Sequence, residues 1–433
     1  MMSTVTELLA RRRRHVSGAM SLHYAESALH IVRGEGAYLY DADGRAYLDC
    51  VNNVAHIGHG HPAVAAAAHA QLGAVNTNTR YLYDQLLDYV ERLTGMFPDP
   101  LRVCFLVNSG SEANDLALRL ARTHTGRTGA AVLDGAYHGH TASVIELSPY
   151  KFNGAGGSGR PAHVQVAPTP DPYRGSYRGG DAGERYAADV ADALAAGNRA
   201  GHPPAMFIAE PILGCAGQVV PPADFLAQAF TAARAAGAVC VADEVQIGFG
   251  RIGSDTWGFE AAGAIPDIVT LGKPIGNGYP LAAVVTTPEI AESFTNGMEY
   301  FNTFGGSTAS CAVGLAVLDV LAEEDLQAHA RKVGNRLLAG FHDLANRHEA
   351  IGDVRGSGLF LGVDLVTDRQ TREADGTLAD AVVAGARDAG VLLSTEGPDG
   401  NVLKIKPPLP FSAADADRLL ETVDKEVTRL ARR

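Results

Sequence analysis

Five cysteines in 433 residues are too few and too scattered for a disulfide framework. Cys50, Cys104, Cys215, Cys240 and Cys311 make no Cys-x-x-Cys pair, and their odd number points to reduced thiols and a cytoplasmic setting. The fifteen histidines supply no metal-ligand pattern either. Neither the run His56, His59, His61 nor the pair His138, His140 has acidic or thiolate partners at a zinc-like spacing, so no metal is expected. No apolar run approaches the length of a membrane span. Positive charge is in deficit: 36 Lys and Arg against 49 Asp and Glu leave a net charge of −13 and no electrostatic support for a nucleic-acid partner. The one basic run, Arg11 to Arg14, has no apolar segment behind it and reads as a solvated helix face rather than a secretory signal. Repeats and low-complexity linkers are missing too.

What is present is the composition of a soluble globular enzyme, 46% hydrophobic and 20% charged, over a length that holds two or more structural lobes. Between about residues 101 and 310, short apolar runs alternate with amphipathic stretches. The runs 103–107, 130–133, 205–209, 239–242 and 268–269 predict an α/β fold with a mostly parallel sheet buried on both faces. Alanine-rich helices are expected over 64–70 and 186–196. After about residue 315 the pattern suggests a smaller α+β lobe, with a long helix over 323–346, a strand over 359–365 and a closing helix over 413–432. Residues 36–45 and 46–48 read as two short strands around an Asp-Gly turn, packed with that C-terminal lobe. The expected division is an N-terminal segment 1–55, a large cofactor-binding domain 56–315 and a small domain 316–433.

The residues with chemistry to offer follow the apolar runs. One run ends in Asp243-Glu244-Val245-Gln246 and the next in Gly272-Lys273-Pro274. A carboxylate from one strand and a lysine from the next suit a cofactor that needs a Schiff-base amine and an anion beside a pyridinium nitrogen, namely pyridoxal phosphate (PLP). Asp243 would keep the ring nitrogen protonated, or else cap the next turn. Lys273 would be the Schiff-base amine and then the general base, and Gln246 a donor to the ring's phenolic oxygen. After the 103–107 run, Gly110-Ser111 opens a helix whose free N–H groups and positive dipole end suit a phosphate; the same turn also serves as an ordinary N-cap. Tyr137, in Gly135-Ala136-Tyr137-His138-Gly139, is placed either to stack on the ring, for about 1 kcal/mol beyond area burial, or to pack in a glycine-flanked loop.

Together these segments resemble the class III PLP-dependent aminotransferases. The resemblance is carried by Asn108 to Asn114, Tyr137-His138-Gly139, Glu210-Pro211, the run from Asp243 to Arg251, Lys273, and Asn302-Thr303-Phe304-Gly305-Gly306. It runs from about residue 20 to the C-terminus. It implies the fold type I architecture of PLP-dependent transferases and a homodimer, or a tetramer of such dimers, with active sites at the subunit interface. It also implies that Gly110, Ser111, Tyr137, Glu210, Asp243, Val245, Gln246 and Lys273 hold the cofactor, and that Thr303 reaches the cofactor phosphate of the partner subunit.

Two departures narrow the expectation. Many class III aminotransferases carry, after Glu-Pro, a glutamate that gates an arginine near a Pro-Pro-Leu turn, and the arginine grips an α-carboxylate. Here Cys215 stands at the glutamate's place and Lys404 at the arginine's, and lysine lacks the planar fork that binds carboxylate bidentately. That combination resembles the phospho-lyases acting on ethanolamine phosphate and 5-phosphohydroxylysine, as do the stretches 50–56, 76–80, 168–175 and 297–303. The resemblance implies elimination of phosphate from a phosphorylated amine, ethanolamine phosphate being the simplest, to give aldehyde, ammonia and inorganic phosphate. The alternative is an aminotransferase that moves an amino group to a 2-oxo acid. A substrate phosphate needs its own cations, and the candidates are Arg80 and Lys404 with Asn52 or Asn53 as hydrogen-bond partners. The competing placements are Arg80 paired to a surface acid and Lys404 simply solvated.

Overall fold

The computed structural model describes residues 3–430. At its centre is a seven-stranded sheet in the order Val103–Val107, Ala282–Thr286, Ile268–Leu271, Val239–Asp243, Pro204–Ala209, Gly129–Leu133, Val164–Ala167. Neighbours are parallel except at Ala282–Thr286, which runs antiparallel to both strands beside it. Alternate side chains feed two cores. Phe207 and Ala209 join Tyr186 and Phe225 on one face, while Met206 and Ile208 join Leu116 and Leu120 on the other. Burial on both faces is why these strands read as unbroken apolar runs, and the α/β class with a mostly parallel sheet holds.

Two strands of this sheet escape the sequence reading. Val164–Ala167 is a short edge strand with a glutamine inside it. Ala282–Thr286 opens with two alanines, poor strand formers, and owes its conformation to burial between two neighbours rather than to propensity.

Because the parallel strands share a direction, their carboxyl ends line one edge of the sheet. Asn108 follows Val107, Glu210 follows Ala209, Asp243 closes its strand, and Lys273 lies just past Leu271. Open α/β sheets bind ligands in the crevice outside that edge.

A second core lies over the antiparallel strands Ile351–Ser357, Phe360–Asp368, Val402–Ile405 and Ser394–Glu396. Leu337, Phe341, Leu419 and Val423, from helices Leu326–Arg347 and Ala413–Leu430, share that core with Leu361, Val363 and Leu403. The helix expected over 323–346 is Leu326–Arg347, which starts just after Asp325 turns the chain at φ 47° and follows a separate helix, Thr308–Glu323. Thr308–Glu323 gives Cys311 and Leu318 to the large core and Val313 and Val317 to the small one, so residue 315 lies inside an element shared by both. Residues 431–432 of the expected closing helix fall outside the described residues. At the other end of the chain, Ile31–Glu35, Tyr38–Asp41 and Ala46–Asp49 form an antiparallel ribbon, and Val391–Leu392 adds to it in parallel. Among the described residues no helix is long and apolar enough to cross a membrane, and no cluster of His, Cys, Asp and Glu could hold a metal ion.

Candidate active site

Asp243 is buried where its strand ends. Its Oδ2 accepts from Asn114 Nδ2 at 2.9 Å and lies 2.8 Å from His138 Nδ1, and its Oδ1 accepts from the Val245 N–H at 3.1 Å. Asn114 also donates to the His138 carbonyl at 2.7 Å, which ties helix Gly110–Thr125 to the loop bearing Tyr137. The buried Asn114 Oδ1 and His138 Nε2 have no partner, which is costly in a finished interior and expected where a polar ligand belongs. Neither Asn114 nor His138 had been singled out as a site residue. Their contact with Asp243 joins positions 129 and 105 residues apart, a separation no local pattern reports.

Lys273 lies at φ 37°, a left-handed conformation that costs a non-glycine residue about 1–2 kcal/mol and recurs at functional sites. Burial lowers the pKa of its ammonium, while the charges of Asp243 and Glu210 oppose the shift. An amine that sheds its proton more readily suits Schiff-base and general-base work. Glu210 accepts from the Gly214 N–H at 3.1 Å and the Tyr137 N–H at 3.4 Å. Burial, reinforced by Asp243, pushes its carboxyl up to about 7. Tyr137 is half-buried and meets Tyr150 edge-on, with ring centroids 6.1 Å apart.

The start of helix Gly110–Thr125 is pressed against these segments. A Cβ on Gly110 would fall 2.8 Å from Val245 Cγ1, and one on Gly272 3.2 Å from Gly110 Cα, so the three strand ends meet closer than ordinary side chains allow. The N-cap is Ser109, whose Oγ accepts from the Glu112 N–H at 3.2 Å, not Ser111. Gly110 and Ser111 therefore keep first-turn N–H groups with no intrahelical partner, the arrangement that binds phosphate. Ser111 Oγ accepts from the His140 N–H at 3.2 Å, which draws the Tyr137 loop to the same helix end.

A cavity of about 460 Å³ is lined by Asn52, Asn53, Lys404 and Lys406, with His23 and Tyr24 in its wall. It adjoins the cofactor segment through Gln246, whose Oε1 accepts from Asn53 Nδ2 at 3.4 Å and from Lys406 Nζ. Lys404 is not solvated: its ammonium is paired with Glu396, and the two side chains are only 13% and 12% exposed. Lys406 is buried, and burial together with the charges of Lys404 and Lys273 holds its pKa well below the usual lysine value. Lys406 was passed over in the sequence although it stands two residues from Lys404, the spacing that puts extended residues on one face. Cys215 is buried nearby, its thiol pushed up to about 12 by burial and the Glu396 and Glu210 charges, which leaves it an inert wall.

Arg80 and Thr303 are not among the residues that line this cavity. Arg80 pairs with the surface acid Glu299 at 3.0 Å, and its guanidinium lies 4.2 Å from the Phe301 ring centroid. Thr303 is exposed and lines a separate cavity of about 500 Å³ with Asn76, Asn78 and Asn108.

The fold and the carboxyl-edge site define a PLP-dependent enzyme of fold type I. The class III aminotransferase family model matches residues 19–427, and the chain belongs to that family. Among its relatives, a Drosophila melanogaster protein named alanine–glyoxylate aminotransferase 2-like is 49% identical, over 96% of this chain and 85% of the relative. Ethanolamine-phosphate phospho-lyase homolog 1 of Caenorhabditis elegans is 42% identical, over 96% of this chain and 91% of the relative. A solved phospholyase from Arthrobacter, in complex with phosphoethanolamine, superposes with a TM-score of 0.93 at 41% identity, covering 97% of this chain and 99% of that one.

Proposed function

We propose that this protein is a phospho-lyase that eliminates phosphate from a phosphorylated amine, ethanolamine phosphate being the leading substrate. The observation that carries the reading is the cavity in which Lys404, Lys406, Asn52 and Asn53 converge beside the Asp243–Gln246 segment. Two lysines and two amides suit a phosphate ester, whereas the gated arginine of the aminotransferases is replaced by Lys404, with Cys215 in place of the gate.

PLP bound at the carboxyl edge supplies an aldehyde for the substrate amine and a ring that draws electrons from the adjoining carbon. In this assignment Gly110 and Ser111 hold its phosphate, Asp243 with Val245 and Gln246 fixes its ring, Tyr137 covers it, and Glu210 supports the Tyr137 loop. Lys273 removes the proton from the carbon bearing the substrate nitrogen. The electron pair left behind expels phosphate from the neighbouring carbon as the C–O bond breaks, and water then releases aldehyde and ammonia. Lys404 and Lys406, with Asn52 and Asn53, hold the departing phosphate. Thr303 and Arg80, both exposed in the single subunit, belong in this reading to the homodimer interface, with Thr303 reaching the cofactor phosphate of the partner subunit. The division into segments 1–55, 56–315 and 316–433 and the cytoplasmic setting are part of the same proposal.

The aminotransferase alternative is favoured by relatives named for alanine–glyoxylate transfer, at 49%, 42% and 36% identity. Purified enzyme with PLP and ethanolamine phosphate, and no oxo acid, separates the two. Equimolar inorganic phosphate and acetaldehyde is the expected result. No release, with amino transfer from alanine once glyoxylate is added, would overturn the lyase.

A further inference from the structure

Two lysines line the Lys404 cavity with one carboxylate, Asp49, which is already engaged by His59 and by the Val51 and Asn52 N–H groups. Glu396 pairs with Lys404, while Lys406 donates to the neutral amide oxygen of Gln246. The pair is built by register: Ser394 faces Lys404 and Glu396 faces Val402 across two antiparallel strands, so the glutamate reaches its lysine diagonally. Glu396 is also the last residue of its strand. A loop from Gly397 to Gly400 follows, both glycines in the left-handed region at φ 87° and 62°, and the Gly397 N–H is bound to the Cys215 carbonyl at 3.1 Å. Beyond that loop lies a larger cavity of about 850 Å³, where Gly397 and Cys215 meet Tyr150 and Lys151. The Glu396 charge is felt by the Tyr150 hydroxyl and the Cys215 thiol on that side as well as by Lys406. The carboxylate thus pairs with a lysine of the first cavity from the residue before Gly397, which lines the second, and three side-chain torsions are available to move it from the one toward the other.

We propose that Glu396 is a built-in counter-anion for Lys404, displaced by the phosphate of the substrate, and that this displacement selects phosphorylated amines over carboxylated ones. An intramolecular carboxylate competes at the high effective concentration that tethering confers. A substrate bearing a carboxylate offers Lys404 only a like-for-like exchange and gains nothing. A phosphate ester brings nearly twice the charge and three acceptor oxygens, enough to engage Lys404 and Lys406 together. The natural ligand named here rests on the phospho-lyase reading, while the displacement itself is a statement about anions.

The test is calorimetric binding of inorganic phosphate, and of acetate as a monoanionic probe, to PLP-saturated enzyme, with cofactor absorbance and thermal midpoint as checks on folding. Glu396→Gln removes the competitor, and phosphate is expected to bind about tenfold tighter, with a proportionally larger gain for acetate. Glu396→Asp, which keeps the charge, is expected to stay near the weak wild-type affinity. The double variant E396Q/K404M is expected to lose the gain. Unchanged or weaker phosphate binding in Glu396→Gln overturns the displacement, as does a gain that survives loss of Lys404. If the wild type releases phosphate and acetaldehyde while Glu396→Gln binds phosphate no better, the displacement fails and the lyase reading stands. If Glu396→Gln binds tighter while the wild type eliminates nothing, the displacement stands and the lyase reading falls.

Discussion

Glu244 sits one residue past the acid that faces the cofactor site, and it invites a quantitative test. It is fully buried; its Oε1 accepts from the Phe259 N–H at 2.9 Å, while its Oε2 has no partner. Burial lifts its pKa from 4.5 to about 8. Below pH 4.5 the carboxyl is protonated in both the folded and unfolded chain and makes no difference to stability. As the pH rises from there, the unfolded chain gives up its proton while the folded chain keeps it, so stability falls until the folded carboxyl ionises near 8. At 1.36 kcal/mol per pH unit the loss is at most about 5 kcal/mol, and roughly half of that is expected once the interior relaxes around the charge. Glu244→Gln keeps an acceptor for the Phe259 N–H and cannot ionise. For a chain of this length, about 2–5 kcal/mol corresponds to roughly 2–5 °C in thermal midpoint. The variant should therefore match wild type at pH 5 and melt some 2–5 °C higher at pH 9, read by calorimetry on PLP-saturated enzyme. Glu210, raised in the same direction, is present in both proteins and drops out of the comparison. Midpoints that run parallel from pH 5 to 9 would refute the reasoning, because they would mean the carboxyl is ionised in the fold without cost.

Gly110→Ala places a Cβ 2.8 Å from Val245 Cγ1 and should weaken PLP affinity about tenfold in equilibrium dialysis, with the double variant G110A/V245A recovering part of the loss. Lys273→Ala should abolish the visible absorbance of lysine-bound cofactor while far-ultraviolet circular dichroism stays unchanged; a surviving native spectrum would exclude Lys273 as the Schiff-base residue. Asp243→Asn should lower kcat by about 100-fold or more, the scale of a lost electrostatic stabiliser, and a loss below tenfold would remove it from the cofactor ring. Lys404→Met should raise KM for ethanolamine phosphate at least about tenfold with the cofactor spectrum intact, and an unchanged KM would move the substrate phosphate elsewhere.

How far the sequence could be read depended on whether a residue's role is local. The strand ending in Asp243 and the Gly110 turn are runs of neighbours, and their apolar periodicity and glycine punctuation reveal them directly. Once the strands are taken as parallel, their carboxyl ends must share an edge, so the gathering of Asp243, Lys273 and Glu210 follows from topology rather than luck. The roles of Asn114, His138 and Glu396 were hidden for the opposite reason. Asn114 is one polar residue in an amphipathic helix until its contact with Asp243 is known, and Glu396 is one acid before a turn until strand register sets it beside Lys404.

The cavity beside Gln246 draws one wall from His23, Tyr24, Asn52 and Asn53 and the other from Leu392, Lys404 and Lys406. The Tyr24 hydroxyl donates to the Leu393 carbonyl at 2.6 Å and accepts from its N–H at 2.9 Å, across 369 residues of chain. Contacts so distant in sequence form late and slowly. On the ribosome, every residue from Asn108 to Lys273 emerges before Leu393 is made, so the cofactor edge can assemble while Tyr24 still waits for its partner. The strands that end at Asn108, Glu210, Asp243 and Lys273 are thus complete in the chain before Leu392, Lys404 and Lys406, which close this cavity, have been made.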